Sequence, residues 1–240
     1  MTKLSVNINK IALIRNSRGA NLPNLIHIAR DLEKFGAQGI TIHPRPDQRH
    51  IRYDDIPSLK EVVSTELNIE GYPSEEFMEI VLKNKPHQCT LVPDPPSALT
   101  SDSGWDTITH KDFLTDIVNE LKLKGIRVSL FVDPVNSFVE GAKAVGADRI
   151  EFYTGKYAKQ FLSNPEAAIK HHVESARVAD AMGLGINAGH DLDLNNLNFY
   201  KTKITNLLEV SIGHALVCDA LYYGLHNTIQ MYLRKLEITE

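Results

Sequence analysis

The chain has 240 residues, 42% of them hydrophobic and 23% charged, with a formal net charge of −4. These values exclude a disordered, collagen-like or coiled-coil protein, and a mildly acidic chain without a long Lys/Arg run lacks the footprint of a dedicated nucleic-acid binder. No stretch approaches the length of a membrane span, so neither nucleic acid nor a membrane is an expected partner.

The N-terminus, Met1-Thr2-Lys3-Leu4-Ser5-Val6-Asn7, has no apolar signal core, and Cys89 and Cys218 suggest no disulfide framework, so the cytoplasm is the expected compartment. Short β-rich apolar runs then alternate with helical patterns. The predicted strands are residues 4–9, 39–44, 67–72, 88–93, 127–133, 149–154, 185–190 and 207–214. The first connection holds a short basic loop, Arg15-Asn16-Ser17-Arg18-Gly19. Residues 24–35 carry Leu25, Ile28, Leu32 and Phe35 on one helical face. The polar stretch 93–110 reads as a lid or binding loop, 155–165 as another extended connection, and 215–236 as one long helix. Glycines recur where helices end, as in Phe35-Gly36, Lys124-Gly125, Val145-Gly146 and Met182-Gly183. About eight βα units in one domain spanning 1–240 predict an α/β fold of the (β/α)8 TIM barrel type, with a doubly wound open sheet as the alternative.

Polar residues fall at the C-terminal ends of the apolar runs: Asn7, His43, Glu70, Asp133, Glu151, His190 and His214. In a parallel barrel these ends converge on one face, where the active site is built. A charged side chain in a core costs several kcal/mol unless paired, so packing explains such a set poorly. His43 alone would read as a hydrogen-bonded core histidine; its companions make it a candidate acid–base group. Glu70, between Ile69 and Gly71, gains a raised pKa on burial. Glu151 faces the same desolvation, or an ion pair with arginine. Asp133, before Pro134, reads as a helix cap.

The tract His43-Pro44-Arg45-Pro46-Asp47-Gln48-Arg49-His50 suits a small anionic substrate, and Arg15 and Arg18 form a second anion-binding candidate. Gly213-His214 opens the last helix with amides that favour phosphate. No GxGxxG follows the first strand, and there is no Walker lysine loop and no GxSxG elbow. The predicted strands contain no lysine, which disfavours a barrel-type lysine Schiff base and leaves acid–base catalysis by His and Glu. Metal chemistry ranks second, since no HxH or HExxH pattern pairs two ligands.

The ordered set of motifs is specific: Val6-Asn7-Ile8-Asn9, Arg15-Asn16-Ser17-Arg18-Gly19, Gly39-Ile40-Thr41-Ile42-His43-Pro44-Arg45, Asn68-Ile69-Glu70, Ile150-Glu151 with Thr154-Gly155, Asn187-Ala188-Gly189-His190 and Ile212-Gly213-His214-Ala215. Over essentially its whole length the chain resembles the pyridoxine 5′-phosphate synthase family of vitamin B6 biosynthesis. The resemblance implies a barrel with additional helices that assembles as a homo-octamer, and a condensation of 1-deoxy-D-xylulose 5-phosphate with 3-amino-2-oxopropyl phosphate. Pyridoxine 5′-phosphate, inorganic phosphate and water are the implied products, with no cofactor and no metal. It implies that His43 and Glu70 accept protons, that His190 donates one and that Glu151 stabilises a transition state. Asn7, Arg18, Gly213 and His214 would bind the aminoketone phosphate, and Asn9, Lys10, Arg45, His50 and Thr100 the pentulose phosphate. The family typically has Asp-His at Asn9-Lys10, and commonly Gly at Asp191. Asp191, counted among the substrate-binding positions, would place a negative charge beside a phosphate unless it points away or pairs with a cation. Two other readings stay open: another phosphosugar barrel isomerase or lyase, and a non-catalytic phosphate-ligand-binding relative.

Overall fold

A computed structural model describes residues 1–94 and 100–237. Eight parallel strands close in sequence order into one barrel: β1 (Lys3–Asn7), β2 (Gly39–Ile42), β3 (Leu67–Gly71), β4 (Gln88–Leu91), β5 (Arg127–Val132), β6 (Arg149–Phe152), β7 (Gly185–Ala188) and β8 (Leu207–Ile212). The ring closes where Lys3 to Val6 pair with Glu209 to Ile212. All eight predicted strands are present. Most end about two residues earlier than the apolar pattern suggests, because the final polar residues have left the ladder to line the mouth.

Alternation along the strands separates two environments. Leu4, Val6, Ile40, Ile42, Leu67, Ile69, Val128, Leu130, Ile150 and Phe152 are buried in the main apolar core with the inward faces of the helices. Many of the alternate positions are polar, and several bond to one another: Ser5 Oγ lies 2.8 Å from Thr41 Oγ1, and Thr90 Oγ1 donates to Asn68 Oδ1 at 3.0 Å, while Ser129 Oγ and Asn187 Nδ2 are buried without a partner among the described residues. Arg149 Nη1 donates to Asn187 Oδ1 at 3.2 Å. Burial of the paired groups is tolerated because they bond across strands. At the opposite end from the strand C-termini, Glu66 bridges Lys3 and Arg127, and Arg149 faces Glu209 at 3.8 Å. Lys3 is thus a strand lysine that the sequence reading placed outside the strand; it caps the far end of the barrel.

The helices are α1 (Asn9–Asn16), α2 (Leu25–Lys34), α3 (Asp55–Val62), α4 (Glu75–Asn84), α5 (Lys111–Leu123), α6 (Asn136–Ala144), α7 (Gly155–Phe161), α8 (Pro165–Ala181), α9 (Leu197–Lys203), α10 (His214–Tyr223) and α11 (Leu225–Leu236). Asn24 caps α2, accepting the amides of Ile26 and His27. Three expectations are corrected here. The final helix is two helices, broken at Gly224 with φ 75°, a conformation few other residues adopt. The connection after β6 is largely helical, as α7. Asp133 caps no helix; its carboxylate takes the Gly104 amide at 2.9 Å and lies 3.3 Å from Lys156. The predicted lid over 93–110 falls partly at residues 95–99, outside the described residues. Among the described residues no helix is long and apolar enough to cross a membrane.

Candidate active site

At the C-terminal ends of the strands lies a cavity of about 530 Å³, a size that suits a small ligand. Its lining includes Asn7, Asn9, Lys10, His43, Arg45, His50, Glu70, Thr100, Glu151, His190, Asp191, Gly213 and His214. These come from strand ends or following loops of β1, β2, β3, β4, β6, β7 and β8, so residues as far apart in sequence as Asn7 and His214 share one wall. Arg18 does not line it: it lies two residues past α1 and is exposed. Arg15 is not an anion site. Its guanidinium is 3% exposed and forks onto Asp55 at 2.6 and 2.8 Å while donating to the His50 carbonyl. A basic pentapeptide cannot reveal that a carboxylate forty residues on has claimed one of its arginines. Val92, Ser101, Phe131, Asp193, Ser211 and Ala215 also line the cavity and escaped the sequence reading. Phe131 and Ser211 were accessible to period-two counting, two residues on from Ser129 and Glu209.

The β1 end is a hydrogen-bonded hub. Asn7 Nδ2 donates to Glu70 Oε2 at 3.4 Å, and Asn7 Oδ1 accepts the Asn9 amide. Asn9 Oδ1 in turn accepts the His43 amide at 3.0 Å, so this side chain orders the β2 end. Gly213 packs on Asn7, where a Cβ would lie 3.0 Å from that of Asn7. Gly189 lies against the Ser211 backbone, where a Cβ would stand 2.0 Å from its carbonyl oxygen. Only glycine lets β7 and β8 approach so closely there.

Burial first, then the charges of Arg45, His50, Arg49 and His190, pushes the His43 imidazole well below its ordinary pKa, so it is a neutral base at pH 7. His50 is pushed down to about 4 by burial and by Arg45, Arg49 and Lys10. Its Nδ1 accepts the Ile51 amide at 3.0 Å, which assigns the ring proton to Nε2. Burial pushes Glu70 up to about 8 despite the opposing pull of His190. Glu151 is driven well above the carboxylate range by burial and by the charges of Glu70 and Glu209, which favours its protonated form. His190 moves the other way: burial lowers its pKa, but the hydrogen bond and charge of Asp191, with Glu70 and Asp94, outweigh burial and raise it. A base held neutral, a carboxyl poised near neutrality and an imidazole whose pKa is raised face one cavity, and such divergent shifts are what acid–base chemistry uses.

Anion-binding features surround these groups. Lys10 and Arg45 line the cavity, and so do Gly213, His214 and Ala215 at the N-terminal turn of α10. Cys89 is buried in the apolar core, and Cys218 is exposed with its sulfur 3.7 Å from His214 Nε2. Among the described residues no group of three or more His, Cys, Asp or Glu side chains is placed to hold a metal ion.

The same barrel is found in solved structures of low sequence identity. Thiamine phosphate pyrophosphorylase from Pyrococcus furiosus superposes with a TM-score of 0.63 at 10% identity, covering 98% of this chain and 95% of that one. Phosphoribosylanthranilate isomerase from Thermotoga maritima gives 0.60 at 10%, covering 98% of each. Sequence relatives are much nearer. A pyridoxine 5′-phosphate synthase of Cytophaga hutchinsonii is 64% identical over 99% of this chain and 100% of its own, and one of Bacteroides fragilis is 57% identical over 97% and 98%. The family model described as "Pyridoxal phosphate biosynthesis protein PdxJ" matches residues 4–238, and the chain belongs to that family.

Proposed function

We propose that the chain is a pyridoxine 5′-phosphate synthase that condenses 1-deoxy-D-xylulose 5-phosphate with 3-amino-2-oxopropyl phosphate, releasing pyridoxine 5′-phosphate, inorganic phosphate and water. The observation that carries this reading is the convergence of His43, Glu70, Glu151 and His190 on one cavity that Lys10, Arg45 and the first residues of α10 also line, in a chain 64% identical to a protein of that name. One substrate supplies the amine, so the protein's task is to orient two phosphorylated molecules and to move protons through Schiff-base formation, dehydration and aldol-type closure. His43, neutral and buried, accepts a proton. Glu70, with its pKa near 8, exchanges one near neutral pH, and His190, whose pKa Asp191 raises, donates one to a leaving oxygen. Glu151, protonated beside them, offers a hydrogen bond to developing negative charge.

The aminoketone phosphate fits the N-terminal turn of α10, with Asn7, Gly213 and His214 around it. The pentulose phosphate fits the side lined by Asn9, Lys10, Arg45, His50 and Thr100. Arg18 enters this reading on the resemblance alone. Assembly into a homo-octamer is part of the proposal and is supported by exposed apolar residues on two packed helices, Leu13 and Ile14 of α1 and Leu221, Tyr222 and Tyr223 of α10. Light scattering of the purified protein checks it. The reaction is tested by mass spectrometry of mixtures holding both substrates or each alone. Product only from the pair supports the synthase. Turnover of a single substrate supports an isomerase or lyase instead, and binding of both without turnover a non-catalytic relative.

A further inference from the structure

The His190 ring is held by two hydrogen-bond partners and two aromatic rings. Its Nδ1 lies 2.7 Å from Asp191 Oδ2, its Nε2 lies 2.8 Å from Thr100 Oγ1, and the Phe131 and Tyr153 rings stand edge to face at 6.4 and 6.1 Å between centroids. Asp191 is itself fixed through its backbone. Its amide donates to Thr154 Oγ1 at 3.1 Å, its carbonyl accepts Asn196 Nδ2 at 3.2 Å, and both Thr154 and Asn196 are buried. The turn is closed by the Leu192 amide on the Gly189 carbonyl at 2.6 Å. A carboxylate on so rigid a turn, bonded to one nitrogen of a ring whose other nitrogen faces the cavity, is arranged to orient the ring.

We infer that Asp191 is a positioning residue: it holds the Nδ1–H of His190 and turns Nε2–H toward Thr100 and the cavity for proton donation. This deepens the reading proposed above and rests on it for the catalytic consequence. The Asp191 charge is engaged by His190, so it does not oppose a bound phosphate as an unpaired carboxylate would. The Thr100 hydroxyl marks the point at which a substrate oxygen would receive the Nε2 proton. The charged and titratable groups that bear on His190 are Asp191 on its own loop, Glu70 and His43 from β3 and β2, Asp94 from the loop after β4, and Tyr153 from the end of β6. Asp191 is the one among them hydrogen-bonded to the ring.

Three variants grade the interaction. Asp191→Asn keeps an acceptor and removes the charge, Asp191→Gly removes both, and Asp191→Glu restores the charge on a longer arm. The His190 ring is followed by NMR in the full-length protein, its signal assigned by its loss in His190→Gln. The titration midpoint should fall by about one pH unit or more in Asp191→Asn, further in Asp191→Gly, and recover in part in Asp191→Glu. The alkaline limb of the kcat–pH profile for product formation should move down in the same order, with KM for both substrates unchanged. An unshifted midpoint in the Asn variant, which leaves every backbone bond of the turn in place, overturns the inference. So does a raised KM for a phosphorylated substrate with an unmoved limb, which would make Asp191 a substrate contact. The midpoint needs no turnover, so a protein inactive as a synthase would still decide the role of Asp191.

Discussion

Arg45 Nη2 and Asp94 Oδ2 meet at 2.7 Å with their side chains only 6% and 4% exposed, joining the loop after β2 to the loop after β4 beneath the cavity rim. Ser101 donates to the same carboxylate oxygen at 2.6 Å, so Asp94 fixes both a cationic wall residue and the segment that carries Thr100.

Removing one partner of a buried pair leaves the other charge stranded, which typically costs about 3–5 kcal/mol. Asp94→Ala should therefore lower the urea midpoint by up to that equivalent and raise KM for the pentulose phosphate, because Arg45 loses this buried ion pair and Ser101 its acceptor. An unchanged midpoint would mean that the Arg45–Asp94 pair contributes nothing net to stability.

Arg15 makes a contrasting prediction. It forks onto Asp55 and, with Asn16, holds the His50 carbonyl. Lysine keeps the charge and loses the planar fork, so Arg15→Lys should cost about 1–3 kcal/mol of stability. Inorganic phosphate binding, followed by calorimetry, should be unaffected. Weakened phosphate binding with full stability would restore the anion-site role that the structure removes.

Much of the barrel is legible from residue order alone. Strand runs such as Leu67-Asn68-Ile69-Glu70 alternate apolar and polar, and the outward apolar set meets the helices while the inward polar set fills the barrel. That pattern identifies the strands and carries Asn7, Glu70 and Glu151 to the cavity. It overextends strand ends because polar residues at the mouth keep the apparent period after the ladder has stopped. It misses α1, whose start at Asn9 reads as a continuation of β1, and the break at Gly224, where one residue among helix formers changes sign in φ. Pairings such as Arg15 with Asp55, or His190 with both Asp191 and Thr100, depend on how the ring closes, which no local pattern encodes.

The far end of the barrel predicts a pH dependence of stability. Burial pushes Glu209 up to about 7 against the pull of Arg149, with Glu66 adding to the rise. A carboxyl with a folded pKa above its unfolded value of 4.5 binds more protons in the folded state. It contributes stability below about pH 4.5, and that contribution is lost as pH rises towards 7. Glu209→Gln should therefore gain stability relative to the parent between pH 5 and 8, by on the order of 2 kcal/mol in paired urea titrations. A constant difference across that range would show that Arg149 keeps Glu209 ionised throughout.

The acid–base reading stands most directly on Glu70, which lines the cavity, bonds to Asn7 and holds a pKa near 8. Glutamine preserves shape and hydrogen bonding while removing the exchangeable proton. The decisive measurement is the steady-state rate of pyridoxine 5′-phosphate formation from both substrates by the parent and by Glu70→Gln, with equal unfolding midpoints verified in parallel. A fall in kcat of about 10²- to 10⁴-fold with an intact fold is the predicted result. A Glu70→Gln enzyme that turns over at the parental rate, or a parent that forms no product from the pair, would contradict the account.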